Sequence, residues 1–309
     1  MKRFGLIGSN ISHSGSPELF RRAYEGLWPY DLLEGADFKA LWKKFLSSYE
    51  GVNITAPFKE KAFAQVAALT ADGLGRLTGP AVKAGAINLA VKKDGLRGEQ
   101  DYILGDNTDF SAVVLAVAEA CFPGIIAEFL DTYRESFHKK VHQFFRQQSG
   151  NIYPGQPSAL VIGCGGAGRA ATVAVAELGF NVMLSNRTIE RAASFALDIP
   201  EYNVAVCPRN LIRQAIRQCD VLVYAASGAL EELSGCTPED FAPQEGHPAK
   251  IIIEANYKNP TFSGPLLEKA LREGASVTNG RDWLILQALT GFPTLTGVVN
   301  PKNILNFES

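Results

Sequence analysis

The sequence predicts an α/β protein of two domains, each built on a largely parallel sheet. Three observations lead to this prediction: strand-like apolar runs alternate with helical segments from residue 3 to residue 121, a second alternating series begins at Ser158, and a glycine-rich turn follows the first strand of that series. With 309 residues, 46% of them apolar, the chain is long enough to bury two cores. The expected domains are 1–108 together with 283–309, and 109–282.

The first domain is predicted to begin with a strand at Phe4. Ser16 before Pro17 indicates the start of the first helix, with Ser16 as its N-cap. A short edge strand is expected within 27–35, although Pro29 weakens that pattern. The other predicted elements of this domain are strand 3–8, helix 17–27, helix 37–48, strand 51–54, helix 58–68, strand 86–91, helix 108–121, and two tail helices at 281–291 and 300–307.

A glycine-rich turn carries the strongest signal in the chain. Gly163, Gly165 and Gly168 fill the G-x-G-x-x-G positions directly after an apolar run, and a helix and another strand follow. These glycines allow a tight turn, the approach of a pyrophosphate and close helix packing, while the helix N-terminus points its amides at the phosphates. We therefore expect a Rossmann-type dinucleotide-binding domain with strands near 160, 182, 204, 221 and 251. Its predicted cofactor turn comprises Gly163, Cys164, Gly165, Gly166, Ala167 and Gly168.

The residues after the second strand of this domain favour NADP over NAD. An NAD site usually ends this strand in an acid that binds the ribose 2′-hydroxyl, but here Asn186, Arg187 and Thr188 follow. Arg187 would offer a planar fork to a 2′-phosphate, and Thr188 a hydroxyl and a backbone amide. Arg191 is a candidate second phosphate contact. The alternative interpretation makes Thr188 an ordinary helix cap and both arginines surface charges.

The segment 122–157, between the two series, has the character of a helical insertion. Within 126–148, apolar residues recur every three or four positions, which predicts one helical stripe ending in a linker from Pro154. His138 and His142 have a spacing that can hold a metal, but no third ligand is near, so we predict no metal site. The members of the stripe are Leu130, Tyr133, Phe137, Val141 and Phe144.

Composition excludes several classes of partner. A net charge of −2 gives no electrostatic footprint for nucleic acid or for an anionic membrane. Five cysteines without a C-x-x-C pair indicate reduced thiols, and no apolar run has the length of a membrane span. We expect a cytoplasmic protein, a monomer or a homodimer, that acts on a small molecule.

Two loops of the first domain offer acid–base chemistry. Lys59 follows the strand 51–54 and its polar end, and Asp109 begins another helix. If the two side chains meet, Lys59 would exchange a proton with a substrate hydroxyl while Asp109 orients it. The alternative is a solvated lysine and a favourable first-turn acid. Ser14 and Ser16 near a helix start would suit an acidic substrate.

Taken in order, these motifs resemble those of the shikimate dehydrogenase family, from Phe4 to Gly297. The matching segments are 8–17, 51–59, 85–88, 107–109 and 186–191. The resemblance implies that Lys59 is catalytic and pairs with Asp109, and that Gly280 lies against the nicotinamide. It further implies that the substrate carboxylate is bound by Ser14, Ser16 and Tyr257, and the substrate hydroxyls by Asn53, Thr55, Asn88 and Gln287.

The implied activity is the reversible NADP-dependent reduction of 3-dehydroshikimate to shikimate, on the pathway to chorismate and aromatic amino acids, in a cleft between the domains. Leu89, Phe110, Tyr224 and Trp283 depart from the family pattern, as does the long 122–157 insertion. Bulk at 110, 224 and 283 is expected to reshape the cleft. Two alternatives therefore remain: a quinate/shikimate dehydrogenase, and a ligand sensor of the same fold without useful turnover.

Overall fold

The structure is a computed structural model that describes residues 1–95, 99–299 and 304–305. The chain divides into two compact units, one formed by Met1–Asp109 with Gln287–Ser309 and the other by Phe110–Leu286. The units thus end at 109 and 286, where the sequence predicts boundaries at 108 and 282. Each unit contains one six-stranded sheet with helices, which confirms the α/β class.

The sheet of the first unit is mixed. Its strands are β1 (Phe4–Gly8), β2 (Tyr30–Glu34), β3 (Gly51–Ile54), β4 (Gly75–Leu77), β5 (Leu89–Lys93) and β6 (Tyr102–Asp106), in the order β2-β1-β3-β5-β6-β4. Strand β1 pairs in parallel with both β2 and β3, and β4 pairs in parallel with β6, whereas β5 runs antiparallel to both β3 and β6. The strand expected at 86–91 begins only at Leu89, because the backbone amides of Ile87 and Asn88 bond instead to Lys59 and Asp106.

Four helices belong wholly to the first unit. They are α1 (Ser16–Ala23), α2 (Phe38–Ser48), α3 (Lys59–Ala68) and α4 (Gly79–Ala84). Helix α1 ends at Ala23 rather than at 27, since Glu25 and Gly26 adopt positive φ angles that a helix cannot continue through. Asp37 caps α2 by accepting from the amides of Lys39 and Ala40. The short helix α4 and the strands β4 and β6 are not among the elements that the sequence predicts.

The sheet of the second unit is parallel throughout. Its strands are β7 (Ser158–Ile162), β8 (Asn181–Ser185), β9 (Val204–Val206), β10 (Val221–Tyr224), β11 (Ile251–Glu254) and β12 (Ser276–Thr278), in the order β12-β11-β10-β7-β8-β9. This order is the one that dinucleotide-binding sheets adopt, with the ligand side at the point where the order reverses, between β7 and β10. The predicted Rossmann-type sheet is confirmed.

The remaining helices include the insertion between the two series of strands. They are α5 (Thr108–Cys121), α6 (Ile125–Tyr133), α7 (Phe137–Ile152), α8 (Gly166–Glu177), α9 (Ile189–Asp198), α10 (Ile212–Gln218), α11 (Gly264–Arg272) and α12 (Gly280–Thr296). The tail helix α12 is longer than the predicted 281–291 and passes through Pro293. The helix expected at 300–307 lies outside the described residues, apart from Ile304 and Leu305.

The expectation of one continuous helical stripe in the insertion is wrong. Arg134 has a φ of 45°, which ends α6, and a short 3-10 turn leads into α7 with a new rotational frame. As a result Tyr133 is exposed, and the fully buried aromatic of α7 is Phe145 rather than Phe144. Phe145 stacks on Phe180, with ring centroids 6.2 Å apart, so the insertion packs on the residues that lead into β8.

The described residues contain no helix with both the length and the apolar character needed to cross a membrane.

The two histidines of the insertion are both in packed surroundings. His142 lies within hydrogen-bond distance of the Glu177 carbonyl, at 3.3 Å, and burial lowers the pKa of His138 to about 4. These histidines thus have roles in packing the insertion, which is the use that the sequence favours for them.

Candidate functional site

Lys59 and Asp109 meet in the first unit. The lysine Nζ lies 2.5 Å from the aspartate Oδ2, and the two side chains are only 14% and 4% exposed. Lys59 is the first residue of α3, directly after the turn that follows β3, and Asp109 is the second residue of α5, directly after β6. The Asn107 side chain holds the start of α5, because its Oδ1 accepts from the Asp109 amide and its Nδ2 donates to the Ala86 carbonyl. The result is an oriented ammonium, held by a carboxylate and largely withdrawn from water.

A buried amide–hydroxyl cluster is formed by three residues of the same unit. Thr108 donates its backbone N–H to Asn88 Oδ1 at 2.8 Å, and Asn88 Nδ2 lies 3.0 Å from Thr108 Oγ1. The Thr108 hydroxyl also contacts Gln287 Oε1 at 3.2 Å, which links the start of α5 to α12. All three are less than 9% exposed. Asn88 and Gln287 are predicted site residues, whereas Thr108 is missed, although it lies within the 107–109 motif.

The two serines are adjacent, but Ser16 does not cap the helix. Gly15 is the N-cap and Ser16 the first residue of α1, so the predicted capping role is wrong. Ser14 Oγ instead accepts from the Ser16 amide at 3.2 Å and lies 3.2 Å from the Ser16 hydroxyl. A residue before the N-cap thus supplies the oxygen that an N-cap side chain usually provides.

Asn53 and Thr55 stand beside the serine loop for a steric reason. A Cβ on Gly8 would lie 2.5 Å from both Ile11 Cγ2 and Thr55 Cγ2, so only glycine lets the loop approach the end of β3 this closely. Asn53 pairs with Leu89 across the antiparallel strands, and its Nδ2 lies 3.4 Å from the Asn88 carbonyl. The end of β3 is therefore in contact both with the serine loop and with the amide–hydroxyl cluster.

The glycine turn of the second unit has two closed positions and one open one. Gly163 has a φ of +111°, and a Cβ there would lie 2.7 Å from the Ala226 amide nitrogen. A Cβ on Gly168 would lie 1.9 Å from the Gly163 carbonyl oxygen. At Gly165, by contrast, a Cβ would meet no heavy atom within 4 Å in the part of the chain that the structure describes. The open position lies at the N-cap of α8, where a pyrophosphate fits the pattern.

Asn186 ties the glycine turn to the loop that follows β8. Its Oδ1 accepts from the Cys164 amide at 3.1 Å, and its Nδ2 donates to the Thr188 carbonyl at 2.9 Å. The Cys164 thiol lies 3.6 Å from the Arg191 carbonyl, so the start of α9 is held to the same turn. The six residues of the turn and the 186–191 loop are therefore brought together, as the motifs predict.

Arg187 and Thr188 remain exposed in this loop. Thr188 occupies the N-cap position of α9, but its side chain makes no capping hydrogen bond with the described residues. Arg187 enters no ion pair with any residue within 1–95, 99–299 or 304–305. The interpretation of Thr188 as an ordinary capping side chain is therefore not supported. Both side chains are available to a phosphate, so the residues present fit a 2′-phosphorylated dinucleotide.

Tyr257 and Gly280 lie in the second unit. Tyr257 is 40% exposed in the loop after β11, and Gly280 begins α12. A Cβ on Gly280 would lie 2.3 Å from the carbonyl carbon of Asn256, so the glycine is needed for the close passage of the Tyr257 loop. A contact between Gly280 and a nicotinamide stays a prediction from the family resemblance.

A buried carboxylate that the sequence does not reveal organises the Tyr257 loop. Glu254, 1% exposed at the end of β11, accepts from the amides of Asn256, Thr261 and Phe262 and from the Asn256 side chain. Burial raises the pKa of Glu254 above its usual value. One acid thereby closes the loop on both sides of Tyr257.

The positions that depart from the family pattern have ordinary packing roles where their surroundings are described. Tyr224 is fully buried in the core of the second unit, 6.2 Å from the Phe262 ring, and its hydroxyl bonds to the Gly228 carbonyl at 2.5 Å. The expectation that Tyr224 narrows a cleft is therefore wrong. Phe110 packs edge-on against His142 of the insertion at 6.0 Å, and Leu89 and Trp283 are buried.

The two units match two family models. The shikimate dehydrogenase substrate binding domain matches residues 6–90, and the shikimate / quinate 5-dehydrogenase model matches residues 150–237. Both therefore fall on parts of the chain that carry the sites described above.

Full-length relatives and a solved structure agree with these matches. The chain is 29% identical to a shikimate dehydrogenase (NADP(+)) of Natronomonas pharaonis, covering 99% of this chain and 97% of the relative. It is 29% identical to that of Thermus thermophilus, over 97% of this chain and 94% of the relative. The crystal structure of the Thermus thermophilus enzyme with NADP(H) and shikimate has 25% identity and a TM-score of 0.67, covering 98% of this chain and 97% of that one. By its motifs, its two family matches and these relatives, the chain belongs to the shikimate dehydrogenase family.

Proposed function

We propose that this protein catalyses the reversible NADP-dependent reduction of 3-dehydroshikimate to shikimate, a step toward chorismate and the aromatic amino acids. The observation that carries the proposal is the buried Lys59–Asp109 pair, at 2.5 Å, beside the amide–hydroxyl cluster of Asn88, Thr108 and Gln287. A proton donor next to several hydroxyl-reading groups is what reduction of a ketone on a polyhydroxylated ring requires. The relatives that span nearly the whole chain have this activity in their names.

Lys59 is the group that exchanges the proton. NADPH, when bound, supplies the hydride for the carbonyl carbon. Lys59 Nζ donates a proton to the carbonyl oxygen as negative charge develops there, so the ketone becomes a secondary alcohol. In the oxidative direction Lys59 accepts that proton. Asp109 holds the ammonium in place through the 2.5 Å contact, so that one N–H is directed away from the carboxylate and toward substrate.

The remaining polar groups would recognise the substrate. Ser14, Ser16 and Tyr257 would bind the carboxylate, while the ring hydroxyls would be bound by Asn53, Thr55, Asn88 and Gln287. Since a buried polar group left unpaired costs about 1–3 kcal/mol, an analogue that lacks one hydroxyl should bind distinctly less well. Thr108 would act through Asn88 and Gln287, whose amides it orients.

The cofactor would be held by the second unit. The pyrophosphate would approach Gly165 and the first amides of α8, and Arg187 with Thr188 would bind the 2′-phosphate, with Arg191 as a second cation. We further propose that the enzyme acts in the cytoplasm as a monomer or homodimer; the five cysteines are all free thiols, which suits a reducing compartment.

One experiment tests the activity. NADPH absorbance is followed with 3-dehydroshikimate and with 3-dehydroquinate, and shikimate and quinate are compared in the reverse direction with NADP⁺ and NAD⁺. We expect turnover with the shikimate pair and NADP(H). The absence of turnover at high enzyme concentration would contradict the proposal.

Quinate is the second candidate substrate, because the model that matches residues 150–237 describes shikimate and quinate dehydrogenases together. The groups that read the shared carboxylate and hydroxyls do not by themselves exclude a ring with one more hydroxyl. A kcat/KM for quinate equal to or above that for shikimate would make the protein a quinate/shikimate dehydrogenase.

Lys59→Ala should reduce kcat by about 10²- to 10⁴-fold while substrate affinity is largely retained, because the substitution removes the proton donor but not the hydroxyl-binding groups. The measurement is steady-state kinetics together with shikimate binding by calorimetry. Lys61→Ala, on the exposed side of the same helix, is the matched control and should be nearly normal. If Lys59→Ala keeps near-normal turnover, Lys59 is not the acid–base group.

Arg187→Ala should raise the KM for NADPH about tenfold or more and leave the KM for NADH unchanged, because only NADPH carries the 2′-phosphate. Both cofactors are titrated at saturating substrate. Arg146→Ala, an exposed arginine on α7, controls for the loss of one surface charge. An equal loss with NADH would argue against a 2′-phosphate contact.

Gly165→Ala and Gly163→Ala should separate cofactor binding from folding. Gly165 has an extended backbone with open space, so alanine should leave the melting temperature unchanged but weaken NADPH binding about tenfold or more by meeting the pyrophosphate. Gly163→Ala meets backbone at a positive φ and should cost about 2 kcal/mol or more of folding stability. Thermal unfolding and NADPH titration are measured on both variants. Unchanged NADPH affinity in Gly165→Ala would remove Gly165 from the cofactor site.

A further inference from the structure

Tyr30, the first residue of β2, connects the serine loop to the end of β3, a role that no sequence motif indicates. Its ring is held in an aromatic cluster, with centroid distances of 4.7 Å to Phe20 and 6.2 Å to Phe292. These neighbours belong to α1 and α12 of the same unit. Because the ring is packed on two sides, the position of its hydroxyl is determined by the fold and does not depend on a ligand.

The hydroxyl of Tyr30 joins two groups of candidate substrate residues. It donates to Asn53 Oδ1 at 2.9 Å, and it also shares a hydrogen bond with the Ser16 side chain. Ser16 in turn lies 3.2 Å from the Ser14 hydroxyl. A continuous line of hydrogen bonds therefore runs from the two serines through Tyr30 to Asn53. Burial raises the pKa of Tyr30, so its hydroxyl remains a protonated donor at neutral pH.

This connection determines which face of the Asn53 amide is available. The Asn88 carbonyl can only accept, so it must face Asn53 Nδ2, which lies 3.4 Å away, and Oδ1 then faces the Tyr30 hydroxyl. An amide nitrogen has two hydrogens, and the Asn88 carbonyl takes only one of them. The second N–H is thereby reserved as a donor to a ligand hydroxyl. Without the Tyr30 hydroxyl, the amide would lose the partner that holds its oxygen.

We propose that Tyr30 is a positioning residue for the substrate: it holds Ser16 and Asn53 in one arrangement, so that carboxylate-binding and hydroxyl-binding groups are set at a fixed separation before substrate arrives. The proposal rests on the proposed function. It assigns to Tyr30 no contact with the reacting atoms. Its contribution is to substrate affinity and to discrimination among hydroxylated ring acids, because pre-arranged groups lose less freedom on binding.

Tyr30→Phe tests the proposal while keeping the ring. We expect the KM for shikimate to rise about threefold to tenfold, the size expected for one lost hydrogen bond, with kcat within about twofold and the KM for NADP⁺ unchanged. Tyr24→Phe is the matched control: Tyr24 belongs to the same aromatic cluster, 4.9 Å from Phe20, but its hydroxyl bonds to Val298 and Thr296. A purely structural effect would lower thermal stability and alter kcat and both KM values together.

A double-mutant cycle identifies the route by which Tyr30 acts. If it acts through Asn53, Tyr30→Phe should add little to the KM change that Asn53→Ala already causes. Fully additive effects, or a Tyr30→Phe variant indistinguishable from Tyr24→Phe, would overturn the positioning role. Wild-type turnover is measured first: its absence would contradict the proposed function itself, whereas normal wild-type turnover with an unaffected Tyr30→Phe variant would contradict only this inference.

Discussion

The contact between Lys59 and Asp109 is the constraint on which the first unit depends. An ammonium and a carboxylate that are 14% and 4% exposed have lost most of their hydration, and such a pair is tolerated only when its geometry is held and its remaining hydrogen-bonding capacity is used. The ends of β3 and β6 bring the two residues together, and Asn107 fixes the helix start that carries Asp109. The mixed sheet therefore serves to hold one charged pair, since β5 places the 85–88 turn between its two strands.

The second unit solves a different problem, which is to bring the backbone close to a large anion. Charge pairing has little part in this, and the requirement is met by leaving out side chains. Gly163 and Gly168 are closed to a Cβ by the protein itself, whereas Gly165 is closed to none of the described atoms. The first two glycines thus shape the turn, and the third leaves room at the N-terminus of α8. Three residues of one type therefore have two distinct physical roles.

The sequence was sufficient for features that depend on local patterns. The strands of the second unit follow from apolar runs of strand length, and the meeting of Lys59 with Asp109 follows from the rule that loops after parallel strands gather at one edge of a sheet. Local patterns fail where a distant contact decides. The positive φ at Arg134 breaks a helix whose apolar period continues across it, and the antiparallel β5 depends on pairing with strands on both sides. Tyr30 and Glu254 were missed because their partners come from other parts of their units.

The lengths of the hydrogen bonds in the first unit separate a framework from the groups that it presents. The contacts from the Thr108 amide to Asn88 and from Tyr30 to Asn53 are 2.8 and 2.9 Å, within the range of strong N–H···O and ordinary O–H···O bonds. The contacts that join candidate ligand-binding groups to each other are longer: 3.4 Å from Asn53 Nδ2 to the Asn88 carbonyl, and 3.2 Å from Thr108 to Gln287. A substrate hydroxyl that replaces one of the longer contacts gives up little internal bonding. The shorter contacts stay in place, so recognition does not require the site to reorganise, and the polar groups remain satisfied both before and after binding.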